Sequence, residues 1–180
     1  LSIRRQRQMC IRDRFWNTLK SVNSDSLMQL IVLALKNPLF LYPTFLATVT
    51  CMRIATLHYG REHYKNTPAN AFRHAFWNYL IAHNCSKWGS SQSKTLQWTK
   101  TITDWHENAF PNRELPRAMD FHNNEIGRNI YIPNSSQPLE IAIRLLLNKT
   151  QNAIQIRNIK DVSKVTDLLV YIAPSAKVIA

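Results

Sequence analysis

A chain of 180 residues, 45% of them apolar, is long enough for one domain with a sizeable core, too short for two, and too apolar to be disordered. Its three glycines argue against a barrel or sandwich of many short strands, which needs more turn residues. The formal charge of +12 is no strong nucleic-acid signal; a solvated basic surface accommodates it, and an anionic substrate or an anionic membrane surface would exploit it.

Residues 1–14 hold five arginines and one aspartate, so 18 basic and 10 acidic residues, a balance of +8, remain in the rest of the chain. The segment resembles the translated sequencing adapter found at the ends of metagenomic open reading frames and is set aside, as a tag would be. Ser24 and Asp25 are good N-caps for a first helix through Leu27, Leu30, Ile31 and Leu35, stopped by Pro38. Pro43 is placed to open a second helix reaching about His63. The uncharged run from Asn37 to Met52 is 16 residues long, short of the about 20 that a membrane span needs, and reads as a buried helix or two. Residues 15–64 are thus the N-terminal apolar helices of the same domain.

Thr67 and Pro68 open a third helix over about Ala69–Lys87, with Phe72, Phe76, Tyr79, Leu80 and His83 near one stripe. A fourth helix covers about Lys94–Phe110. After a loop, a fifth runs from near Pro116 to about Tyr131. Pro133 to Pro138 breaks the chain, and Leu139–Asn148 is again helical. Residues 65–148 form the motif-bearing core. In the tail, residues 149–180, the stretch Asp167–Ile172 reads as a short strand or extended arm. The fold class is all-α: a compact bundle of about five to six helices with a short extended C-terminal tail.

Besides Cys10, the chain has Cys51 and Cys85 and no CxxC pair, which argues against a cysteine-built zinc site. Cys51 lies in an apolar run and behaves as a small hydrophobe. Unpaired thiols point to a reducing compartment and hence the cytoplasm; secretion stays open because a leader would lie upstream of these residues.

Three polar clusters stand out. In Arg73-His74-Ala75-Phe76-Trp77-Asn78, His74 and Asn78 share a helix face, and Arg73 and Trp77 share the adjacent one, where guanidinium and indole can stack. In Asp104-Trp105-His106-Glu107, Asp104 and Glu107 face the same way; the zincin pattern is absent because Phe110 stands where a second histidine belongs. In Asp120-Phe121-His122-Asn123-Asn124-Glu125-Ile126-Gly127-Arg128, two asparagines and a glycine, all poor helix formers, fall within five positions. Asparagine offers both donors and acceptors, and glycine lets another helix come close. If the three helices pack side by side, these polar faces converge on one interior site.

The three strings, in this order, resemble an uncharacterised bacterial domain family with the signature Ala-Phe-Arg-His-Ala-Tyr-Trp-Asn, then His-Glu, then Met-Asp-Leu-His-Asn-Asn ending in Gly-Arg. The resemblance spans about residues 65–131, with Asn70 where the family commonly has aspartate and Phe76 where it has tyrosine. It implies a helical domain, sometimes at the ends of toxin-like proteins, and carries no reaction with it.

The residues themselves point to a hydrolase. His74, His106 and His122 are the candidate general bases or metal ligands, with Glu107 and Asp120 as their acidic partners; a divalent metal suits such a set. Arg73, Asn78, Asn123, Asn124 and Arg128 would hold an anionic substrate, a phosphodiester or phospholipid. The rival reading is a non-enzymatic binding or structural module in which the same residues form a satisfied network. A single site brings the three histidines within reach of one another and turns Arg128 inward to pair with Glu107 or Asp120; the alternative for Arg128 is an exposed position near a helix C-terminus.

Overall fold

The computed structural model describes residues 23–110 and 113–173; the segment 1–14 lies outside them. Among the described residues seven α-helices make up the fold, α1 Ser24–Lys36, α2 Pro38–Tyr59, α3 Pro68–Ser86, α4 Gln92–Ala109, α5 Glu114–Asn134, α6 Leu139–Gln151 and the short α7 Ile159–Val162. A 3-10 turn, Glu62–Tyr64, precedes α3, and two short strands, β1 Ile154–Gln155 and β2 Val170–Tyr171, pair in parallel. The chain is all-α, a helical bundle with a minimal sheet.

Helix α1 begins one residue before the expected caps: Asn23 caps it, its Oδ1 accepting from Ser26 N at 2.8 Å, and Asp25 sits in the first turn, where the dipole favours a carboxylate. Helix α2 opens at Pro38, not Pro43. A proline at the first helical position gives up only an N–H that has no partner there, so Pro38 starts the helix and Pro43 lies inside it. Nor is α2 a buried helix. Phe40, Pro43, Ala47, Cys51 and Ala55 form a single inward stripe, and most of the remainder is exposed or half-exposed. Helix α2 ends at Gly60, whose φ of 56° is open to a residue without a Cβ.

Helix α3 is the axis of the bundle. It packs against α2, α4, α5 and α6, and so is buried nearly all round, with Phe72, Phe76, Tyr79, Leu80 and Ile81 in the core and His74 and Asn78 buried beside them. Three indoles tie the N-terminal helices to it and to α4: Trp77 donates to Thr48, Trp98 to Thr44 and Trp105 to the Ser26 carbonyl, each at 2.9 Å. Each tryptophan thus buries its ring while satisfying its one donor.

Helices α3 and α5 cross at Gly127. A Cβ there would fall inside the Ala75 backbone, so only glycine allows this approach. The tail returns over the same pair of helices. Asn123 brackets Val170, donating to its carbonyl at 2.9 Å and accepting from its N–H at 3.0 Å, and the Ile172 and Ala173 N–H groups reach the Asn66 carbonyl. An amide side chain therefore acts as a third strand on the free edge of β2.

Candidate functional site

Four-residue spacing on three helices builds the site. Helix α3 contributes Arg73, His74 and Asn78; α4 contributes Thr103, His106 and Glu107; α5 contributes Asp120, Asn124 and Arg128. His74, Asn78, Thr103, Glu107, Asp120 and Asn124 are all buried. Their polar groups must satisfy one another, since each would be costly alone.

One half of the site is a directed chain of hydrogen bonds. Arg128 can only donate, and its Nη1 lies 2.8 Å from Asn78 Oδ1, which also accepts from Thr103 Oγ1 at 3.2 Å. The Asn78 amide is thereby fixed, with Nδ2 donating to Asn124 Oδ1 at 2.7 Å and to the His74 carbonyl at 3.1 Å. Asn124 in turn gives Nδ2 to Glu107 Oε1 at 3.2 Å, so its Oδ1 is an acceptor toward His74 Nδ1, also at 3.2 Å. His74 consequently carries its proton on Nδ1 and presents a lone pair on Nε2. Arg73 donates to that lone pair from Nη2 at 2.7 Å.

The other half is left open. Asp120 Oδ1 lies 3.3 Å from His74 Nε2 yet is buried without any hydrogen-bond partner. Glu107 Oε1 lies 3.5 Å from His74 Nδ1. Burial pushes the Glu107 carboxyl above the usual carboxylate range, against the pull of the Asn124 bond and of Arg73. Burial does the same to Asp120, the neighbouring Glu107 charge adds to it, and Arg73 opposes. His74 moves the other way: burial, then Arg73 and His106, hold the imidazole well below its ordinary value, so it is neutral. One donor atom each from His74, Glu107 and Asp120 lies within 4.8 Å of the others, the donor types and spacing that a divalent cation takes.

Not every expected residue converges. Asn123 holds β2, and His122 Nε2 donates to the Leu168 carbonyl at 2.8 Å, so both serve the tail and the expected meeting of three histidines is reduced to two. Helix geometry explains it: at about 100° per residue, a side chain two positions past Asp120 points to the opposite side. His106 flanks the site, its ring edge-on to Trp77 at 5.2 Å, and burial followed by Arg73 brings its pKa down to about 4. Trp77 therefore meets His106, and Arg73 meets His74, in place of the expected Arg73–Trp77 stack. Asp104 is half-buried: its Oδ2 pairs with exposed Lys100, and its Oδ1 is buried without a hydrogen-bond partner. Arg128 does point inward, but to the Asn78 amide instead of a carboxylate. Two buried carboxylates already face His74, and the amide needs a donor whose direction is fixed.

Thr103 is the residue whose role the sequence did not reveal. Its signal was present: Thr95, Thr99 and Thr103 recur every four residues on α4, and all three are buried. They keep that face thin, and Thr103 supplies the hydroxyl that shares Asn78 with Arg128.

With this geometry in place, comparison with known proteins adds one finding. Residues 31–154 match the family described as Domain of unknown function (DUF6973), and the chain belongs to that family. The matched span contains all three polar clusters and extends well beyond them on both sides. No curated protein and no solved structure matches the chain.

Proposed function

We propose that this DUF6973 member is a hydrolase of an anionic, phosphodiester-type substrate. His74, Glu107 and Asp120 hold a divalent cation, and Arg73 takes an anionic oxygen of the substrate. The observation that supports this best is the lone pair of His74 Nε2 facing the unpaired Asp120 Oδ1 across 3.3 Å. His74 Nε2 already has the Arg73 guanidinium at 2.7 Å, but Asp120 Oδ1 has no partner, and a buried carboxylate oxygen in that position needs a cation or a proton. A neutral imidazole with two carboxylates is a ligand set for Mg²⁺, Mn²⁺ or Zn²⁺, which would polarise a phosphoryl oxygen. Arg73, half-buried and bonded to the Nε2 lone pair, is displaced when a cation takes that lone pair, and its guanidinium then turns to the substrate. The Arg128–Asn78–Asn124 chain keeps Nδ1 protonated, so that Nε2 carries the lone pair a cation would take from Arg73.

The test is hydrolysis of bis(p-nitrophenyl) phosphate by protein stripped with chelator and reloaded with Mg²⁺, Mn²⁺ or Zn²⁺. Expected are turnover with at least one cation, loss of turnover in His74→Ala and Asp120→Asn, and a raised KM in Arg73→Met. No turnover with any of the three cations refutes the hydrolase.

A second reading, a binding or structural module, is favoured by the closed half of the site, where Asn78 and Asn124 have both ends of their amides bonded. On that reading no stoichiometric cation binds, and site variants change only the melting temperature.

A further inference from the structure

Helix α1 turns its most apolar side outward. Leu27, Met28, Ile31, Val32 and Leu35 fall within about 140° of arc at the helical repeat and are all exposed, Met28 at 61% and Leu35 at 75%, while Ser26 is buried. Helix α2 continues the pattern. Beside its buried stripe, Leu39, Tyr42 and Leu46 and, after half-buried Val49 and Thr50, Arg53 and Leu57 are exposed, Leu39 at 63% and Tyr42 at 62%. Two consecutive helices with bare aliphatic faces are more than a monomer in water ordinarily shows.

The charge around these faces is mostly of one sign, with exposed Asp25 in the first turn of α1 as the exception. From residue 26 to residue 103 the chain holds eight lysines and arginines and a single carboxylate, Glu62, which is tied to Lys65. Lys36 and Arg53 stand exposed on the two helices themselves. Exposed Lys94 lies 5.9 Å from the Phe40 ring of α2, and half-exposed Trp88 lies 6.1 Å from Tyr42. Aliphatic faces, a lysine rim and aromatic rings with polar tips are what the headgroup boundary of an anionic bilayer accommodates. A protein interface would instead be depleted of lysine.

We propose that α1 and α2 form a docking surface for a membrane containing anionic lipid, lying in the interface without crossing it. Helix α2 is long and apolar enough to span a bilayer, but its inner stripe is committed to the core against α3, so it presents only its outer side. The Trp105 bond to Ser26 ties the start of α1 to the helix carrying Glu107. This surface does not depend on hydrolysis.

The test is co-sedimentation of the full chain with vesicles of phosphatidylcholine alone and of phosphatidylcholine with phosphatidylglycerol, with Trp fluorescence as a second readout. Binding to the anionic vesicles, weakened by salt, is expected. The triple variant Met28→Gln, Leu35→Gln, Leu39→Gln changes only exposed positions and should lose at least about tenfold in partitioning with an unchanged melt. Leu145→Gln, exposed on α6, should bind as the unaltered chain does. No binding to anionic vesicles, or equal binding by the triple variant, overturns the proposal. So does a concentration-dependent dimer that the triple variant converts to monomer while vesicles stay unbound, since the face is then a contact between copies.

Discussion

Asp120→Asn should stabilise the cation-free protein. In the fold, Asp120 Oδ1 is buried, unpaired and opposed to the Nε2 lone pair of His74. Asparagine has the same shape and carries no charge, so the burial of an unpaired carboxylate is relieved. Leaving a buried polar group unsatisfied costs about 1–3 kcal/mol, more when charged, so removing the conflict should return an amount in that range. For a chain of this size each kcal/mol moves the midpoint by about 2–4 °C, so a rise of roughly 2–12 °C is expected. The gain should widen with pH. Burial raises the Asp120 pKa in the fold, so the stability owed to its neutral form is complete below the unfolded value and is lost as pH rises through the raised one. Asparagine loses nothing over that window. The assay is a thermal melt in chelator across neutral to alkaline buffers, repeated with Mn²⁺. With cation present the order should reverse, because only the aspartate gains a ligand bond. A midpoint for Asp120→Asn at or below that of the unaltered chain, in chelator and alkaline buffer, would refute the reasoning.

Three further outcomes are expected. Gly127→Ala forces a methyl group into the Ala75 backbone and should cost about 3 kcal/mol or more, measured by denaturant unfolding. Arg128→Met frees the Asn78 amide to flip, so the ¹⁵N shifts of His74 should change from one Nδ1-protonated tautomer to a mixture; an unchanged spectrum would mean that the relay does not set the tautomer. Cys51, whose thiol burial pushes up to about 12, and Cys85, raised to about 11 by the same cause, should resist iodoacetamide at neutral pH until the chain unfolds, read by mass spectrometry of the labelled peptides.

What the sequence made legible was local. The four-residue spacings of His74 with Asn78 and of Asn124 with Arg128 survive because a helix forms them whatever surrounds it. Gly127 marked a close helix crossing because glycine inside a helix costs stability unless the space is needed. Misplacements came from side-chain direction and from contacts distant in sequence. Proximity along the chain groups His122 and Asn123 with Asp120, although the helical repeat turns His122 to the opposite side. Their partners, Leu168 and Val170, lie 46 and 47 positions away. Charge alone pairs Arg128 with a carboxylate; the amide relay depends on which atoms of three separate helices meet. The inner and outer stripes of α2 could not be assigned because both are apolar, and only the fold shows that one of them has no partner.

The crossing at Gly127 also divides the site into a fixed and an adjustable part. With no Cβ between them, the α3 and α5 backbones are in contact, and helices in backbone contact cannot slide without breaking it. His74 on α3 and Asp120 on α5 are therefore held at a set separation, as two jaws of a gauge. Glu107 comes from α4, which meets the pair through side chains. Any adaptation to a larger or smaller occupant must come from α4, so substitutions on its threonine face, at Thr95, Thr99 or Thr103, would be the ones to retune which ion or ligand fits while leaving the gauge itself unaltered.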